Sequence, residues 1–213
     1  MRTQNDHKQT WWDDNLHDQT QFNTFLGWIG DYTAISKLFF RNFLKENPGL
    51  SSILDIGCGP ATEFFNLKKD EINIDYMGVD SSQILFKYNT GRGVPMILAD
   101  SSNIPIADSS RDIAFGRHIL EHQSCFEHTI NEMIRVAKTL AVHIWFKKPA
   151  DIEHIDYDPS SNLYHNTYNI NLLNNYILSN PKVDNIAWRD IDSTESILFI
   201  WLKNIKSDYV KGL

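Results

Sequence analysis

Cysteine is scarce in this chain of 213 residues, which contains only two. Cys58 and Cys125 do not make up a disulfide framework, and they lack the spacing of a zinc site. So few thiols, in no recognisable pairing, are typical of a reducing compartment. We therefore expect two free thiols and a cytoplasmic location.

Long apolar runs are missing as well. No stretch approaches the roughly 20 apolar residues that a membrane-spanning helix needs. The first residues, Met1 to Asp14, are polar and acidic, unlike a secretory signal. The sequence therefore predicts no membrane partner.

Positive charge is the third thing that the chain has little of. Lysine and arginine together number 20 against 27 acidic residues, so the formal net charge is −7. The basic residues are scattered, whereas a protein that tracks phosphates needs them clustered on one face. We therefore expect no nucleic-acid partner.

The material for a core is ample. Hydrophobic residues make up 42% of the 213 residues, and a chain of this length fits one domain. Short strand-like segments are followed by helix-like segments through much of the chain, which is typical of a parallel sheet with crossover helices. No second domain is required.

The most informative stretch is residues 53–63. Short apolar residues run into Asp55, and small residues follow at Gly57, Cys58 and Gly59. This pattern predicts a buried strand, a tight turn and then a helix. Glycine lets a ligand lie against the backbone, the helix N-terminus offers unpaired N–H groups, and Asp55 suits a cationic group. An ordinary strand-to-helix turn looks similar, so the stretch alone leaves both interpretations open.

This stretch resembles the first motif of the class I methyltransferases that use S-adenosylmethionine (SAM), where an acid opens an acid-x-Gly-x-Gly-x-Gly turn. Ala61 stands at the third glycine position, where a small residue still allows close packing. The resemblance implies an α/β fold with a Rossmann-like, doubly wound sheet of seven strands. That sheet is mostly parallel, ends in a C-terminal antiparallel hairpin and carries helices on both faces. The cofactor implied is SAM.

The resemblance also implies a domain plan. One SAM-dependent methyltransferase domain covers residues 1–213, and residues 1–46 form an N-terminal arm and lid helices. The apolar residues from Phe22 to Ile29 predict a short helix that is broken at Gly27 and Gly30. Residues 150–181 form a substrate-side insertion after the fifth strand. Its polar groups suit a hydroxylated or charged small molecule better than a lipid, and a solvated loop is the alternative for any one residue.

Acids also end the next two predicted strands. Asp80 closes the second strand and is followed by Ser81. A carboxylate at this position can accept hydrogen bonds from both ribose hydroxyls of a nucleoside. Asp100 and Ser101 follow the third strand, and in the resembled family this acid accepts from the adenine amino group. The alternative for Asp80 is a helix N-cap.

The segment after the fourth predicted strand runs Gly116-Arg117-His118-Ile119-Leu120-Glu121-His122. By the resemblance, Gly116 and Arg117 line the methionine end of SAM, His122 is a base or orienter, and His118 contacts the substrate. The same residues match His-x-x-Glu-His, which places two imidazoles on zinc in inverted zinc peptidases. A helix-capping or core histidine is the remaining alternative.

Other residues are expected around the methyl acceptor. His165 is a second possible base for a hydroxyl, so the predicted catalytic residues are His118, His122 and His165. The residues expected to bind the substrate share an aromatic or cationic side chain. They lie in the lid segment, in the insertion or, for Lys148, where the chain leaves the fifth strand. They are Tyr32, Trp28, Lys148, Tyr164 and Tyr168.

These features together predict a methyltransferase that acts on a hydroxyl or amine of a small polar metabolite. Two alternatives remain open, a metal-dependent sugar O-methyltransferase and a SAM-binding partner protein without catalysis. No metal ligands are assigned, and the choice between monomer and homodimer stays open. An enzyme for DNA or RNA is disfavoured by the charge, and Gly116-Arg117-His118-Ile119 replaces the expected Asn/Asp-Pro-Pro-aromatic tetrad.

Overall fold

A seven-stranded sheet forms the centre of the computed structural model, which describes residues 13, 18–29, 32–159 and 163–203. The strands are β1 (Ser52–Ile56), β2 (Asp75–Asp80), β3 (Met96–Leu98), β4 (Arg111–Arg117), β5 (Ala137–Trp145), β6 (Tyr157–Asp158), β7 (Leu163–Tyr164), β8 (Val183–Asp190) and β9 (Ser196–Leu202). The order in the sheet is β3-β2-β1-β4-β5-β9-β8, and β6 pairs separately with β7.

Parallel pairing joins the first five strands, whereas β9 runs antiparallel to both β5 and β8. The central strand β1 is buried along its whole length, as expected for a parallel strand that is covered on both faces. The predicted fold class, a Rossmann-like and mostly parallel seven-stranded sheet with a C-terminal antiparallel hairpin, is confirmed.

Helices cover both faces because successive residues of a strand point to opposite sides of the sheet. Ile53 belongs to a core cluster with Phe40 and Phe64, whereas Leu54 belongs to a second cluster with Ile130. The helices are α1 (Gln19–Ile29), α2 (Ile35–Glu46), α3 (Thr62–Lys69), α4 (Gln83–Thr90), α5 (Glu127–Val136) and α6 (Ile170–Leu178). In the described ranges, none of them is long and apolar enough to cross a membrane.

Helix α1 corrects one expectation, because it continues through Gly27 where the sequence predicts a break. Phe22 and Phe25 pack against Leu85 of α4, and this burial outweighs the roughly 1 kcal/mol that a glycine costs inside a helix. Most of the predicted arm, residues 1–12 and 14–17, lies outside the described part of the chain. Asp13, which is described, accepts hydrogen bonds from backbone N–H groups at the start of α4.

The sheet order reverses between β1 and β4. The chain moves outward from β1 to β2 and β3, and then crosses back to place β4 on the other side of β1. In open α/β sheets the ligand crevice lies at the carboxyl ends of the strands that flank this reversal. We therefore expect the ligand site at the loops after β1, β2 and β4.

Candidate active site

A cavity of about 460 Å³ opens at these carboxyl ends. Its volume lies within the roughly 300–1,000 Å³ that is typical of small-molecule sites. The lining residues are Phe25, Lys37, Asp55, Gly57, Cys58, Gly59, Pro60, Thr62, Glu63, Asp80, Ser81, Leu85, Ala99, Ser101, Phe115, Arg117, His118, Ile119, His122, Gln123, Phe146, Asp158, Leu163 and His165. We call Asp55, Asp80 and residues 57–59 the carboxylate end, and His118, His122 and His165 the histidine end.

The turn after β1 brings backbone to the cavity wall. Gly57 has φ +65°, and a Cβ added there would lie 2.3 Å from Cγ2 of Ile119. The position therefore requires glycine for both its backbone angle and its space. Ala61, at the third glycine position of the motif, also adopts a left-handed conformation, with φ 53° and ψ 40°. A residue with a Cβ, such as Ala61, adopts this backbone conformation at an energetic cost.

Asp80 ties two loops together at the end of β2. One carboxylate oxygen accepts from the N–H of Gly59 at 2.9 Å, and the other accepts from the N–H of Ser82 at 2.9 Å. Burial disfavours the charged form and raises the pKa of Asp80 to about 6, although these hydrogen bonds oppose the shift. Each oxygen retains acceptor capacity for a ligand, because a carboxylate offers about four lone-pair sites.

Asp55 is the second buried carboxyl of the carboxylate end. Its Oδ2 accepts a hydrogen bond from the Tyr76 hydroxyl at 2.7 Å. Burial raises the pKa of Asp55 to about 7 in spite of this bond. Near neutral pH the carboxylate end therefore carries less than its formal negative charge, and a bound cation would favour ionisation of both carboxyls.

Two imidazoles pack against Phe146 at the histidine end, and a third packs against one of them. The ring centroids of His118 and His122 lie 5.1 Å and 5.2 Å from that of Phe146. The His165 ring lies 5.2 Å from the His122 ring in an edge-on arrangement. The β6–β7 hairpin and the residues around it deliver His165, so this end joins segments that are far apart in sequence.

The protonation state of His122 follows from its contacts. Nδ1 lies 2.7 Å from the backbone oxygen of Tyr164. A carbonyl only accepts, so Nδ1 carries the proton and Nε2 carries the lone pair of the neutral ring. Burial lowers the pKa of His122 to about 4, which keeps this ring uncharged at neutral pH.

His118 is held by a residue that no motif predicts. Its Nε2 lies 2.8 Å from Oε1 of Glu195, and the same oxygen accepts from Nη2 of Arg117 at 2.9 Å. The backbone at His118 has φ +56°, which is uncommon for a residue with a Cβ. Burial lowers the pKa of His118, although the hydrogen bond to Glu195 opposes the shift.

The structure places most of the predicted cofactor and catalytic residues in the cavity lining. They are Asp55, Gly57, Cys58, Gly59, Asp80, Ser81, Ser101, Arg117, His118, His122 and His165. Asp100 and Gly116 are exceptions. The exposed Asp100 carboxylate accepts from the backbone N–H and hydroxyl of Ser102. Gly116 is buried, where an added Cβ would lie 3.1 Å from the His143 ring.

The described residues among the predicted substrate residues lie outside the cavity lining. Tyr168 is fully buried, and its hydroxyl donates to the backbone oxygen of Gln123 at 2.6 Å. Tyr32 bonds to Asp70 instead.

The other two described residues contact protein groups away from the cavity. Lys148 pairs with Asp190 on the surface, at 2.5 Å. The Tyr164 ring packs against Tyr157, although its backbone oxygen holds His122. The Trp28 side chain lies outside the described residues.

Several lining residues were not predicted. Gln123 donates to the Ser101 hydroxyl at 2.7 Å and so joins the loops after β3 and β4. Lys37 is a buried lysine of α2, and Asp158 belongs to β6. Glu195, which holds two lining residues, lies in the β8–β9 turn. Local pattern gives no signal for these residues, since each is brought to the cavity by tertiary contacts.

The zinc peptidase alternative is wrong for this fold. The His118–His122 segment begins in a left-handed residue and continues as a short 3₁₀ turn, Leu120–His122. The zinc motif needs both imidazoles on one helix. Glu121 is fully buried, accepts from the N–H of Phe146 at 2.7 Å, and has its pKa raised by burial to about 8. In the described residues no group of three or more His, Cys, Asp or Glu could hold a metal ion.

Comparison with known proteins gives the same class. Residues 54–144 match the family described as a methyltransferase domain. The chain is 29% identical over 115 residues to a tRNA (carboxymethyluridine(34)-5-O)-methyltransferase of Arabidopsis thaliana, which covers 51% of this chain and 28% of that protein. It is 27% identical over 124 residues to an uncharacterized methyltransferase of Mycobacterium sp. (strain JLS), which covers 57% and 48%. The chain thus spans less than half the length of these two relatives.

Solved structures share the fold at low identity. A Burkholderia thailandensis 1,6-didemethyltoxoflavin-N1-methyltransferase, with bound 1,6-didemethyltoxoflavin and S-adenosylhomocysteine, superposes with a TM-score of 0.68. The two are 10% identical over 92% of this chain and 87% of that chain, so the likeness shows the fold alone.

The sheet order, the glycine turn and the family match together define the class. Residues 54–144 of this chain match the methyltransferase domain family, and the chain shares the fold of a solved SAM-dependent methyltransferase. The predictions of a SAM-dependent methyltransferase domain and of SAM as its cofactor are confirmed over these residues.

Proposed function

We propose that this chain transfers the methyl group of SAM to a hydroxyl or an amine of a small polar acceptor. The observation that carries the proposal is one cavity that joins the buried carboxyls of Asp55 and Asp80 to three histidines. One end suits a cationic nucleoside, and the other suits a group that must give up a proton. Both are needed for methyl transfer to oxygen or nitrogen.

The carboxylate end fits the hydrogen-bond donors of SAM. We assign the two ribose hydroxyls to Asp80, whose oxygens each use one protein N–H and retain acceptor capacity. The ammonium group of the methionine part goes to Asp55. Gly57 and Gly59 let the ligand approach the backbone, and Ala99 and Ser101 line the cavity beyond β3. Arg117 lines the methionine end, next to the histidines.

SAM, when bound, supplies an electrophilic methyl carbon next to a positively charged sulfur. The residues of this chain therefore need to hold the acceptor in line, exclude water and take up one proton. Phe25, Phe146 and Leu163 are apolar lining residues that keep water out. We assign the proton of a hydroxyl acceptor to Nε2 of His122, which is the unprotonated nitrogen of that ring.

The acceptor class follows from the size and polarity of the cavity. The volume of about 460 Å³ suits a small molecule that binds beside SAM. Asp158, Gln123 and His165 add hydrogen-bonding groups to the wall near the histidine end, which favours a polar acceptor over a lipid.

The test is a labelling screen with [methyl-³H]SAM and a panel of hydroxylated and amino metabolites. We expect label in the small-molecule fraction. The His122→Gln variant should lower kcat by roughly 100-fold, within the range of general base catalysis, while SAM affinity stays within about twofold. His154→Gln is the matched control, because His154 is an exposed histidine outside the cavity lining.

Each contrary outcome points to a specific alternative. SAM binding in calorimetry without label transfer to any acceptor would favour the non-catalytic SAM-binding protein. Loss of turnover in EDTA, with recovery on adding a divalent cation, would favour the metal-dependent sugar O-methyltransferase. Equal kcat in His122→Gln and the parent would remove His122 as the base.

A nucleic-acid acceptor is the second candidate, and one observation favours it. The Arabidopsis relative is named for methylation of a tRNA uridine. Against it stand the formal net charge of −7 and the scattered basic residues. The same assay with bulk tRNA decides the matter, because label in the tRNA fraction alone would overturn the small-molecule proposal.

A further inference from the structure

Glu195 lies outside the predicted motifs and binds two side chains of the cavity lining. Its Oε1 accepts from Nε2 of His118 at 2.8 Å and from Nη2 of Arg117 at 2.9 Å. We propose that Glu195 is a positioning residue. It holds the His118 ring in the tautomer that accepts a hydrogen bond from the molecule that receives the methyl group. This inference rests on the proposed function and narrows its substrate class.

The β8–β9 turn holds Glu195 firmly at the carboxyl edge of the sheet. Oδ1 of Asp192 accepts from the N–H groups of Thr194 and Glu195, at 2.7 Å and 2.8 Å. The next residue, Ser196, pairs with Trp145 at the end of β5. The side chain of Glu195 is only 13% exposed, so its carboxylate contacts the protein more than water.

The contact with Glu195 determines the tautomer of His118. Burial opposes ionisation of Glu195, but the hydrogen bond from His118 and the charge of Arg117 outweigh burial and lower the pKa of Glu195 to about 2. An ionised carboxylate only accepts, so Nε2 of His118 carries the proton. The lone pair of the neutral ring then lies on Nδ1, on a ring that lines the cavity.

The backbone of His118 supports a functional role for this arrangement. Its φ of +56° belongs to the left-handed region, which a residue with a Cβ adopts at a cost. The N–H of His118 donates to the Ile144 oxygen at 2.9 Å and holds the residue in this conformation. The fold thus maintains a strained residue at the place where its ring meets both Glu195 and the cavity.

Two neutral imidazoles with the same property line the cavity. His118 gives its N–H to Glu195, and His122 gives its N–H to the Tyr164 carbonyl. Each ring is left with a lone pair and no proton to donate. Two acceptors of this kind match a substrate group with O–H or N–H donors, such as a vicinal diol, an amino alcohol or an amine. A carboxylate acceptor would meet lone pairs instead of donors.

The first test is ¹⁵N NMR of the histidine rings in the full chain, which needs no acceptor. We expect the Nε2–H tautomer for His118 in the parent. In Glu195→Gln, which preserves shape but not charge, the pKa of His118 should fall further and its tautomers should mix. Asp190→Asn is the matched control, a carboxylate at the end of β8 that pairs on the surface with Lys148. An Nδ1–H tautomer in the parent, or the same titration in Glu195→Gln, would overturn the proposal.

The second test asks whether Glu195 positions His118 or only neutralises the charge of Arg117. With an acceptor found in the labelling screen, Glu195→Gln should lower kcat at least about tenfold. The double variant Arg117→Gln with Glu195→Gln removes both charges and should keep the low kcat. Recovery of the parent kcat in the double variant would mean that Glu195 acts only on Arg117, and would overturn the proposal. If the parent labels no acceptor, the proposed function fails, while the NMR result still decides the tautomer.

Discussion

The two ends of the cavity are built in different ways. The carboxylate end comes from the carboxyl ends of β1 and β2 and the turn after β1, and its main residues Asp55, Gly57 and Asp80 lie in two short segments. The histidine end combines the loop after β4, the β6–β7 region and the β8–β9 turn. One end is therefore a pair of local motifs, while the other exists only when distant parts of the chain meet.

Burial shifts the pKa values at both ends toward the neutral form, although the carboxyls would be negative and the imidazoles positive when charged. It raises the pKa of Asp55 to about 7 and of Asp80 to about 6, and it lowers the pKa of His122 to about 4. The free cavity therefore carries less charge of either sign than its residues suggest, because burial disfavours every charged form. The carboxyls of the carboxylate end therefore become fully ionised near neutral pH only when a cationic ligand binds. The imidazoles of the histidine end are already neutral hydrogen-bond acceptors without a ligand.

Among the changes that test the difference between the two ends, the Asp80→Asn substitution should have the largest effect, which is on SAM affinity. Hydrogen bonds to charged groups contribute about 1.5–3 kcal/mol each, so losing the ribose contacts should weaken SAM binding on the order of 100-fold. Isothermal titration calorimetry measures the change. Asp75→Asn is the control, since Asp75 starts the same strand and is largely exposed. If Asp80→Asn bound SAM like the parent, the ribose assignment would be wrong.

A smaller effect is expected from pH. Asp55 and Asp80 are protonated below their raised pKa values of about 7 and about 6, and only the ionised forms attract the cationic ligand. SAM affinity should therefore rise on the order of tenfold between pH 5.5 and 8 and then level off. Calorimetry in two buffers of different ionisation enthalpy should also detect proton release on binding. Affinity that is flat across this range in the parent contradicts the assignment. So does a slope in Asp55→Asn that is as steep as in the parent, because only Asp80 should still titrate in that variant.

The smallest effect is expected from two neighbouring lysines at the edge of the histidine end. Lys147 donates to the His165 backbone oxygen at 2.6 Å, whereas Lys148 forms a surface pair with Asp190. Exposed pairs contribute about 0–1 kcal/mol, so Lys148→Ala should change the KM of the acceptor less than about twofold. Lys147→Ala should raise that KM more. A larger increase of KM in Lys148→Ala than in Lys147→Ala would indicate that Lys148 contacts the substrate.

Local sequence was enough for the carboxylate end. The predicted order of strand, glycine turn and helix is found in β1 and α3, and Asp80 falls at the end of β2 as predicted. The reason is physical, since a strand, a glycine turn and a helix N-terminus are set by neighbouring residues. The break predicted at Gly27 failed because aromatic packing against α4 outweighed a local preference.

The histidine end shows the limit of the same reasoning. His122 and His165 were predicted as chemical groups, but their mutual contact was not. Tyr168 was predicted to bind substrate because it is aromatic and polar, yet its hydroxyl satisfies backbone oxygens in the core. Glu195 gave no signal at all. A residue type in a loop does not reveal which of its neighbours the fold will provide.

The sequence by itself determined the sheet, the glycine turn and the acids at the strand ends, because periodicity and turn geometry act over a few neighbouring residues. Only the tertiary structure decided which nitrogens of His118 and His122 carry protons, since their partners Glu195 and Tyr164 lie far along the chain. Ring tautomers depend on contacts across space, and those contacts require the pairing of β9 with β5 and of β6 with β7.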